Sequence, residues 1–114
     1  MHKVLALIMI CTCIAVNAQE AFIKKYSGAY TVIVAGYNGG DSEAFALRPD
    51  GSAVWVEGYK HNGKIETRQK NGTWTAKEGV ITISIQGNTG IIVEEYKLKN
   101  GTFRSGDRYL KKNP

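Results

Sequence analysis

Short alternating segments separated by tight turns constrain this chain more than any other feature. The clearest segment is Val80–Gln86 (VITISIQ), in which Ile81, Ile83 and Ile85 alternate with polar side chains. A period of two places the isoleucines on one face of a β-strand, against a core, and leaves the other face to water. From residue 27 onward the chain has this character throughout, with almost no helical pattern.

Turn signals divide the chain into strands of similar length. Pro49-Asp50-Gly51-Ser52 predicts a tight turn, because Pro49 presets φ and Gly51 accepts a positive φ. The dipeptide Asn-Gly, typical of type I′ hairpin turns, occurs at residues 62–63, 71–72 and 100–101. The predicted strands cover residues 27–36, 43–48, 53–59, 64–69, 72–77, 80–86, 90–99 and 102–110, the last interrupted at Ser105-Gly106-Asp107.

This spacing of strands predicts an all-β fold. About eight short strands with regular turn signals are typical of a sandwich or barrel, and turns this short join neighbours in sequence. We therefore expect a single antiparallel up-and-down meander of about eight strands, curled or closed into a small barrel, because closure removes exposed strand edges. Residues 20–25 are expected to add one helical turn or a lead-in strand that plugs an end.

The N-terminal segment has the pattern of a secretory signal. Met1-His2-Lys3 is short and basic, Val4–Val16 is almost wholly apolar, and modest residues lead up to Ala18. The apolar run is well short of the ~20 residues needed to span a bilayer. We predict cleavage after Ala18 and export to the periplasm, the cell surface or the medium, with no transmembrane segment left after cleavage.

Cleavage would remove both cysteines with the signal. Acylation at Cys11 or Cys13 is the alternative, although neither follows the small residues that lipoprotein processing prefers. The chain thus divides into a signal peptide, residues 1–18, and one β-domain, residues 19–114. The domain has no cysteine, so its stability must come from a hydrophobic core.

The net charge of +5 at pH 7 is concentrated near the C-terminus. Residues 97–112 contain one acidic residue, Asp107, and six basic residues: Lys97, Lys99, Arg104, Arg108, Lys111 and Lys112. A basic surface attracts polyanions, and for an exported protein we expect anionic lipid headgroups or acidic polysaccharide rather than nucleic acid. The simpler interpretation is a solvated surface that keeps a small domain soluble.

A series of turn and core motifs runs along the predicted domain. Gly28-Ala29-Tyr30 opens the first strand, Phe45-x-Leu47-x-x-Asp50-Gly51 spans the second strand and its turn, and Gly72-Thr73-Trp74-Thr75 precedes the alternating isoleucines. The series resembles small bacterial envelope domains of the NlpE-like type and the wider group of lipocalin-like meanders. The resemblance implies a small curled β-sheet over roughly Ser27 to Leu110.

The functional motifs of these families do not carry over. NlpE-like domains have Cys-x-x-Cys between the first two strands, where this chain has Tyr37-Asn38-Gly39-Gly40-Asp41, so a role in copper or redox sensing is not implied. Lipocalins place Gly-x-Trp in the first strand, whereas Gly72-Thr73-Trp74 lies mid-chain. We expect no cofactor.

We find no catalytic constellation in the sequence. His61, the one histidine of the predicted domain, adjoins a turn and has no partner at a metal-binding spacing. Glu94 and Glu95 point to opposite faces of a strand, and Asp41 and Glu43 follow a Gly-Gly loop. We predict no catalytic residue and no metal site, and favour a non-catalytic module over an enzyme of unknown type.

Aromatic side chains are the candidate ligand contacts. Tyr37, Trp55, Tyr59 and Tyr96 can contact a small apolar or sugar ligand at the interior or the open end of a curled sheet. The alternative is that such aromatics fill the core, as we expect for Trp74. Tyr37 and Tyr59 adjoin glycine-containing turns and are expected to be the more exposed.

A second function class is inhibition of an extracytoplasmic enzyme. Ser105-Gly106-Asp107-Arg108-Tyr109 resembles the Ser-Gly-x-x-Tyr element of small periplasmic lysozyme inhibitors, which makes Ser105, Arg108 and Tyr109 candidate partner contacts. An ordinary turn or β-bulge is the alternative. The sequence favours an exported binding or envelope-associated module whose partner is a small ligand, an envelope protein or an anionic surface, with its oligomeric state open.

Overall fold

The structure is a computed structural model that describes residues 19–36 and 41–114, and within them a short helix precedes eight strands. The helix covers residues 19–26, and the strands are β1 (Gly28–Val34), β2 (Ser42–Leu47), β3 (Ser52–His61), β4 (Lys64–Lys77), β5 (Val80–Gln86), β6 (Ile91–Lys99), β7 (Thr102–Ser105) and β8 (Arg108–Lys112). The predicted signal peptide with its cysteines and cleavage site, and Tyr37, lie outside the described residues.

Every strand pairs antiparallel with its neighbours in sequence, and β8 pairs with β1 to close the sheet. The predicted all-β, up-and-down meander is therefore confirmed, in its closed form. Closure leaves no terminal strand of the sheet unpaired, which is the physical advantage of a barrel over an open meander.

Two of the three Asn-Gly dipeptides form the predicted hairpin turns. Asn62 and Gly63 have φ values of 52° and 77°, and Asn100 and Gly101 have 51° and 80°. A type I′ turn needs a positive φ at both central residues, which asparagine tolerates and glycine adopts freely. The turn predicted at residues 49–52 also forms, with Gly51 at a φ of 88°.

The hairpin turn predicted at Asn71-Gly72 is wrong. β4 runs straight through both residues, with Gly72 paired to Ala53 on one side and Ile85 on the other. A Cβ at Gly72 would lie 2.0 Å from the Ser84 carbonyl oxygen, so glycine is required by the close approach of β5 rather than by a turn. The strands predicted at residues 64–69 and 72–77 form the single strand β4. The strand predicted at residues 102–110 forms two strands, β7 and β8.

The inward face of the barrel is apolar over most of its length. Ile81, Ile83 and Ile85 are all buried, as their alternation predicts, and Trp74 is buried among them. Tyr96 is fully buried as well. The aromatic and branched side chains meet at the barrel axis and form one continuous core.

The two ends of the barrel differ. At the end that carries the turns after β2, β4 and β6, the helix packs on the core through Tyr26, whose ring centroid lies 4.9 Å from that of Phe103. The Tyr26 hydroxyl also accepts a hydrogen bond of 3.1 Å from the Gly79 backbone N–H. We call this the closed end. The other end, with the turns after β1, β3, β5 and β7, is the open end.

Candidate functional site

An ion-pair cluster lies on the inner face near the open end, and Arg108 is at its centre. Arg108 is the first residue of β8 and binds Glu43 of β2 through two hydrogen bonds, Nη1 to Oε1 at 3.0 Å and Nη2 to Oε2 at 2.5 Å. Its Nη2 also lies 3.6 Å from Oε1 of Glu94 on β6. Two such parallel bonds form the strongest common geometry between a guanidinium and a carboxylate.

Aromatic donors complete the cluster. The Trp55 indole N–H donates to Glu43 Oε2 at 2.8 Å, and the Tyr96 hydroxyl donates to Glu94 Oε2 at 2.5 Å. Burial, and then the hydrogen bond to Glu94, raise the pKa of Tyr96 well above its usual value. The hydrogen bonds to Glu43 raise the pKa of Arg108, because the carboxylate favours the charged guanidinium, and this outweighs the opposing effect of burial. At neutral pH the tyrosine is therefore neutral and the arginine charged.

Below this cluster, buried side chains of the continuous core pack inside the barrel. The cavity beside the cluster, lined by Phe45, Trp55, Ile85, Ile92 and Glu94, has a volume of about 20 Å³. That is room for about one water molecule. The Phe45 ring packs against both Trp55 and Tyr96, with centroids 6.4 Å apart in each case, so aromatic side chains occupy the space that a ligand would need.

A larger cleft opens where β1 and β2 diverge. The two strands pair only as far as Thr31 and Ala44, although β1 continues to Val34 and β2 begins at Ser42. The cleft that results has a volume of about 520 Å³. Its lining combines aliphatic and polar side chains and consists of Thr31, Val32, Ile33, Val34, Asp41, Ser42, Glu43, Glu57, Gly58, Tyr59 and Arg68.

One wall of this cleft is the β3–β4 hairpin, which carries aromatic rings with cations over them. Arg68 Cζ lies 4.8 Å from the centroid of Tyr59, and the Tyr59 hydroxyl donates to Glu66 Oε2 at 2.9 Å. Further down, Lys70 Nζ lies 5.0 Å from the centroid of Trp55. These cation–π contacts hold the rings in place along the wall.

The structure separates the predicted ligand contacts. Trp55 and Tyr96 belong to the cluster, where the Trp55 indole N–H binds Glu43 and the Tyr96 hydroxyl binds Glu94. Tyr59 lines the cleft. Tyr37 lies outside the described residues, on the connection between β1 and β2.

The predicted partner contacts also lie in different places. Ser105 ends β7 and Arg108 begins β8, so the two flank a two-residue turn. The Arg108 side chain turns inward to the cluster, whereas the Tyr109 ring lies on the outer face with Arg104 Cζ 5.1 Å from its centroid. The short motif therefore does not present these three side chains on one surface.

Sequence reasoning named Arg108 as a partner contact and set Glu43 and Glu94 aside as acidic pairs, and it did not predict that the three side chains meet inside the barrel. Glu43, Glu94 and Arg108 occupy alternation positions shared with buried residues: Glu43 with Phe45, Glu94 with Tyr96, and Arg108 with Leu110. Alternate residues of a strand face the same side. A charged residue two positions from a predicted core residue was therefore the sequence signal for an inward-facing charge. The predicted opposite facing of Glu94 and Glu95 does hold, since Glu94 joins the cluster and Glu95 is exposed.

Within residues 19–36 and 41–114, no group of three or more histidine, cysteine or acidic side chains is arranged to hold a metal ion. No helix in the same part of the chain is long and apolar enough to cross a membrane. A family model described as a lipocalin-like domain matches residues 20–105. Comparisons with curated proteins and with solved structures give no significant match.

Proposed function

Because the chain belongs to the family of lipocalin-like domains, we propose that it is a non-catalytic small-ligand-binding module with the open-end cleft as its site. The cleft volume of about 520 Å³ carries this proposal. Small-molecule sites typically occupy roughly 300–1,000 Å³. The cavity beside the cluster, at about 20 Å³, is too small for an organic ligand, and we therefore place binding at the mouth of the barrel rather than at that cavity.

The lining favours a ligand with one apolar and one hydroxyl-bearing face. Val32 and Val34 supply aliphatic surface on the β1 side, while Asp41 and Glu57 supply acceptors on the opposite side. Carboxylate oxygens accept hydrogen bonds from hydroxyl groups, and an aromatic ring such as Tyr59 packs against the apolar face of a sugar. A small sugar or a small apolar molecule with a polar end fits this combination.

The chemistry of the cluster supports binding rather than catalysis. Both oxygens of Glu43 already accept hydrogen bonds, from Arg108 and from Trp55. A general base needs a free oxygen within reach of the proton that it abstracts. The cluster instead ties β2, β6 and β8 together beneath the cleft.

We also propose that the module acts after export, in the bacterial envelope or outside the cell. The basic Met1-His2-Lys3, the apolar Val4–Val16 and the modest residues before Ala18 support a removable signal. The resemblance of the turn and core motifs to NlpE-like envelope domains also supports an envelope location.

Native mass spectrometry of the protein expressed from the full chain tests both proposals together. A polypeptide mass that begins at Gln19 supports export, and an additional non-covalent mass identifies a retained ligand. An intact N-terminus would contradict the export proposal without touching the binding proposal. A bare polypeptide that also fails to bind any member of a sugar and small-amphiphile panel would contradict the binding proposal.

Substitution of Tyr59 by alanine tests the position of the site. For a ligand found in that way, we expect Tyr59→Ala to weaken binding roughly 5- to 30-fold, since stacking on an aromatic ring contributes about 1–2 kcal/mol. Lys60→Ala is the matched control, because Lys60 is the next residue of β3 and faces the other side. Isothermal titration calorimetry measures both affinities. Equal affinities would place the site elsewhere.

A further inference from the structure

The outer face of the barrel over β4 to β8 collects most of the C-terminal cations. The strand register places Lys77 opposite Val80, Val80 opposite Lys97, Lys97 opposite Arg104, and Arg104 opposite Tyr109. These side chains point outward because their sequence neighbours Ala76, Ile81, Tyr96, Phe103 and Leu110 are buried. The exposed Lys99 and Lys111 lie in the adjacent row. We call Lys77, Lys97, Lys99, Arg104 and Lys111 the basic face.

The basic face opposes like charges across a strand pair. Lys97 and Arg104 are direct partners in the β6–β7 register, and like charges in that position destabilise a sheet. Glu95 offsets part of this repulsion, with Oε1 3.7 Å from Lys97 Nζ, and Arg104 stacks on Tyr109. Among the described residues, the Lys97–Glu95 pair is the one ion pair made by the basic face. A destabilising arrangement at an exposed position favours a functional reason for it.

A shallow depression of about 340 Å³ lies within the basic face. Glu95, Lys97, Lys99, Arg104, Ser105 and Gly106 line it. Lys97, Lys99 and Arg104 offer hydrogen-bond donors to one anionic group, and cations matched in this way to phosphate form charge-assisted hydrogen bonds. The depression is distinct from the open-end cleft, with which it shares no lining residue.

We propose that the basic face docks the barrel on a membrane surface rich in anionic phospholipids, with a headgroup phosphate in the depression. The cations lie on four strands, β4, β6, β7 and β8. They extend over roughly 20 Å around the barrel at the normal strand spacing, in two adjacent rows. A two-dimensional array of charges matches a lipid surface better than a single soluble anion or a linear acidic chain. Tyr109 adds a ring with a polar tip, which suits the boundary between headgroups and hydrocarbon.

Vesicle binding by the full chain tests this docking. The probes are vesicles of phosphatidylcholine with phosphatidylglycerol at three to one, and vesicles of phosphatidylcholine alone, which report any contribution of the apolar N-terminal segment. We expect Lys97→Gln with Arg104→Gln to lower the excess affinity for the anionic vesicles roughly 30-fold, because each cation near an anionic surface contributes about 1 kcal/mol. Binding by the unsubstituted protein should weaken steeply as salt is raised.

The matched control is Lys60→Gln with Lys64→Gln, which removes the same charge from the tip of the β3–β4 hairpin. It should stay within about three-fold of the unsubstituted protein, since long-range attraction alone is screened beyond about 10 Å. Circular dichroism verifies that both variants are folded. Equal losses in the two variants, or no preference for anionic vesicles, would overturn the proposal. Binding to alginate but not to vesicles would also overturn it.

Discussion

At the scale of single residues, the interior charges are stable because they are matched to each other. Arg108 contacts Glu43 and Glu94. Trp55 donates to the Glu43 oxygen that Arg108 Nη2 also binds, and Tyr96 donates to the second oxygen of Glu94. Within the described residues no buried side-chain nitrogen or oxygen lacks a hydrogen-bond partner. A polar group left without a partner in such a setting costs much more than a matched pair contributes.

Removal of Arg108 should therefore destabilise the domain beyond the loss of one contact. We expect Arg108→Met to lower the free energy of unfolding by about 2 kcal/mol. This cost is smaller than that of breaking a fully buried ion pair, because the Arg108 side chain is 27% exposed. Glu43→Gln combined with Arg108→Met should cost less than the sum of the single changes, by about 1–2 kcal/mol. Urea denaturation measures all three variants. Simple additivity would show that the ion pair contributes nothing.

Arg104→Met provides the comparison for an outward arginine. Arg104 lies on the exposed face of β7, and its replacement should change the free energy of unfolding by no more than about 0.5 kcal/mol. A cost equal to that of Arg108→Met would mean that the inner cluster has no special role in stability.

At the scale of elements, β4 differs most from its sequence pattern. The strand runs from Lys64 to Lys77, and its middle contains an Asn-Gly dipeptide that elsewhere in this chain makes a turn. Pairing with β3 on one side and β5 on the other keeps Gly72 extended. The ladder of hydrogen bonds outweighs the local turn preference, because a turn there would leave backbone groups of both neighbours without partners.

A methyl group at Gly72 should be costly for this reason. We expect Gly72→Ala to lower the free energy of unfolding by about 3 kcal/mol, since the new Cβ would meet the Ser84 carbonyl and force the strands apart. Gly101→Ala is the matched control. It has open space around it but a φ of 80°, so only the left-handed backbone opposes it, at about 1 kcal/mol. Thermal unfolding ranks the two, and a larger cost at Gly101 would contradict the close-approach explanation.

At the scale of the whole molecule, the closed end of the barrel is covered by the helix, whereas strands stop pairing with their neighbours at the open end. The helix, Tyr26 and the turns after β2, β4 and β6 pack together at the closed end. At the open end the β3–β4 hairpin extends past its neighbours: β2 pairs with β3 only up to Gly58, and β5 pairs with β4 only from Gly72. Beyond these points each strand of the hairpin pairs only with the other, among the described residues.

Hydrogen exchange should reflect this division. We expect the backbone amides of residues 64–70 to exchange at least ~100-fold faster than those of β5, because opening the hairpin tip breaks far fewer contacts than opening a strand paired on both sides. Mass spectrometry of deuterated fragments measures the difference. A ligand bound in the cleft should slow exchange around Tyr59, and uniform protection along β4 in the free protein would contradict a projecting hairpin.

The family resemblance and the fold follow from local features of the sequence. Alternation in Val80–Gln86 and turn chemistry at Pro49-Asp50-Gly51 act over a few residues, so a reader of the sequence can recognise them without knowing what else lies nearby. The number of strands was predicted correctly although two boundaries were wrong. Two predicted strands merge at Gly72 and one predicted strand divides at Gly106, so the two errors cancel in the count. The sequence named Trp55, Tyr59 and Tyr96 as candidate contacts, but it did not predict that Glu43 and Glu94 lie in one cluster with Trp55 and Tyr96.

Only the tertiary structure decided which side chains meet. Glu43 and Arg108 are 65 positions apart in sequence, and they bind because β8 closes on β1 and brings β2 within reach. The cleft likewise exists because β1 and β2 stop pairing at Thr31, a consequence of barrel register that no local pattern encodes. Turn type and alternation are properties of a few adjacent residues, whereas closure and register depend on all the strands packing at once.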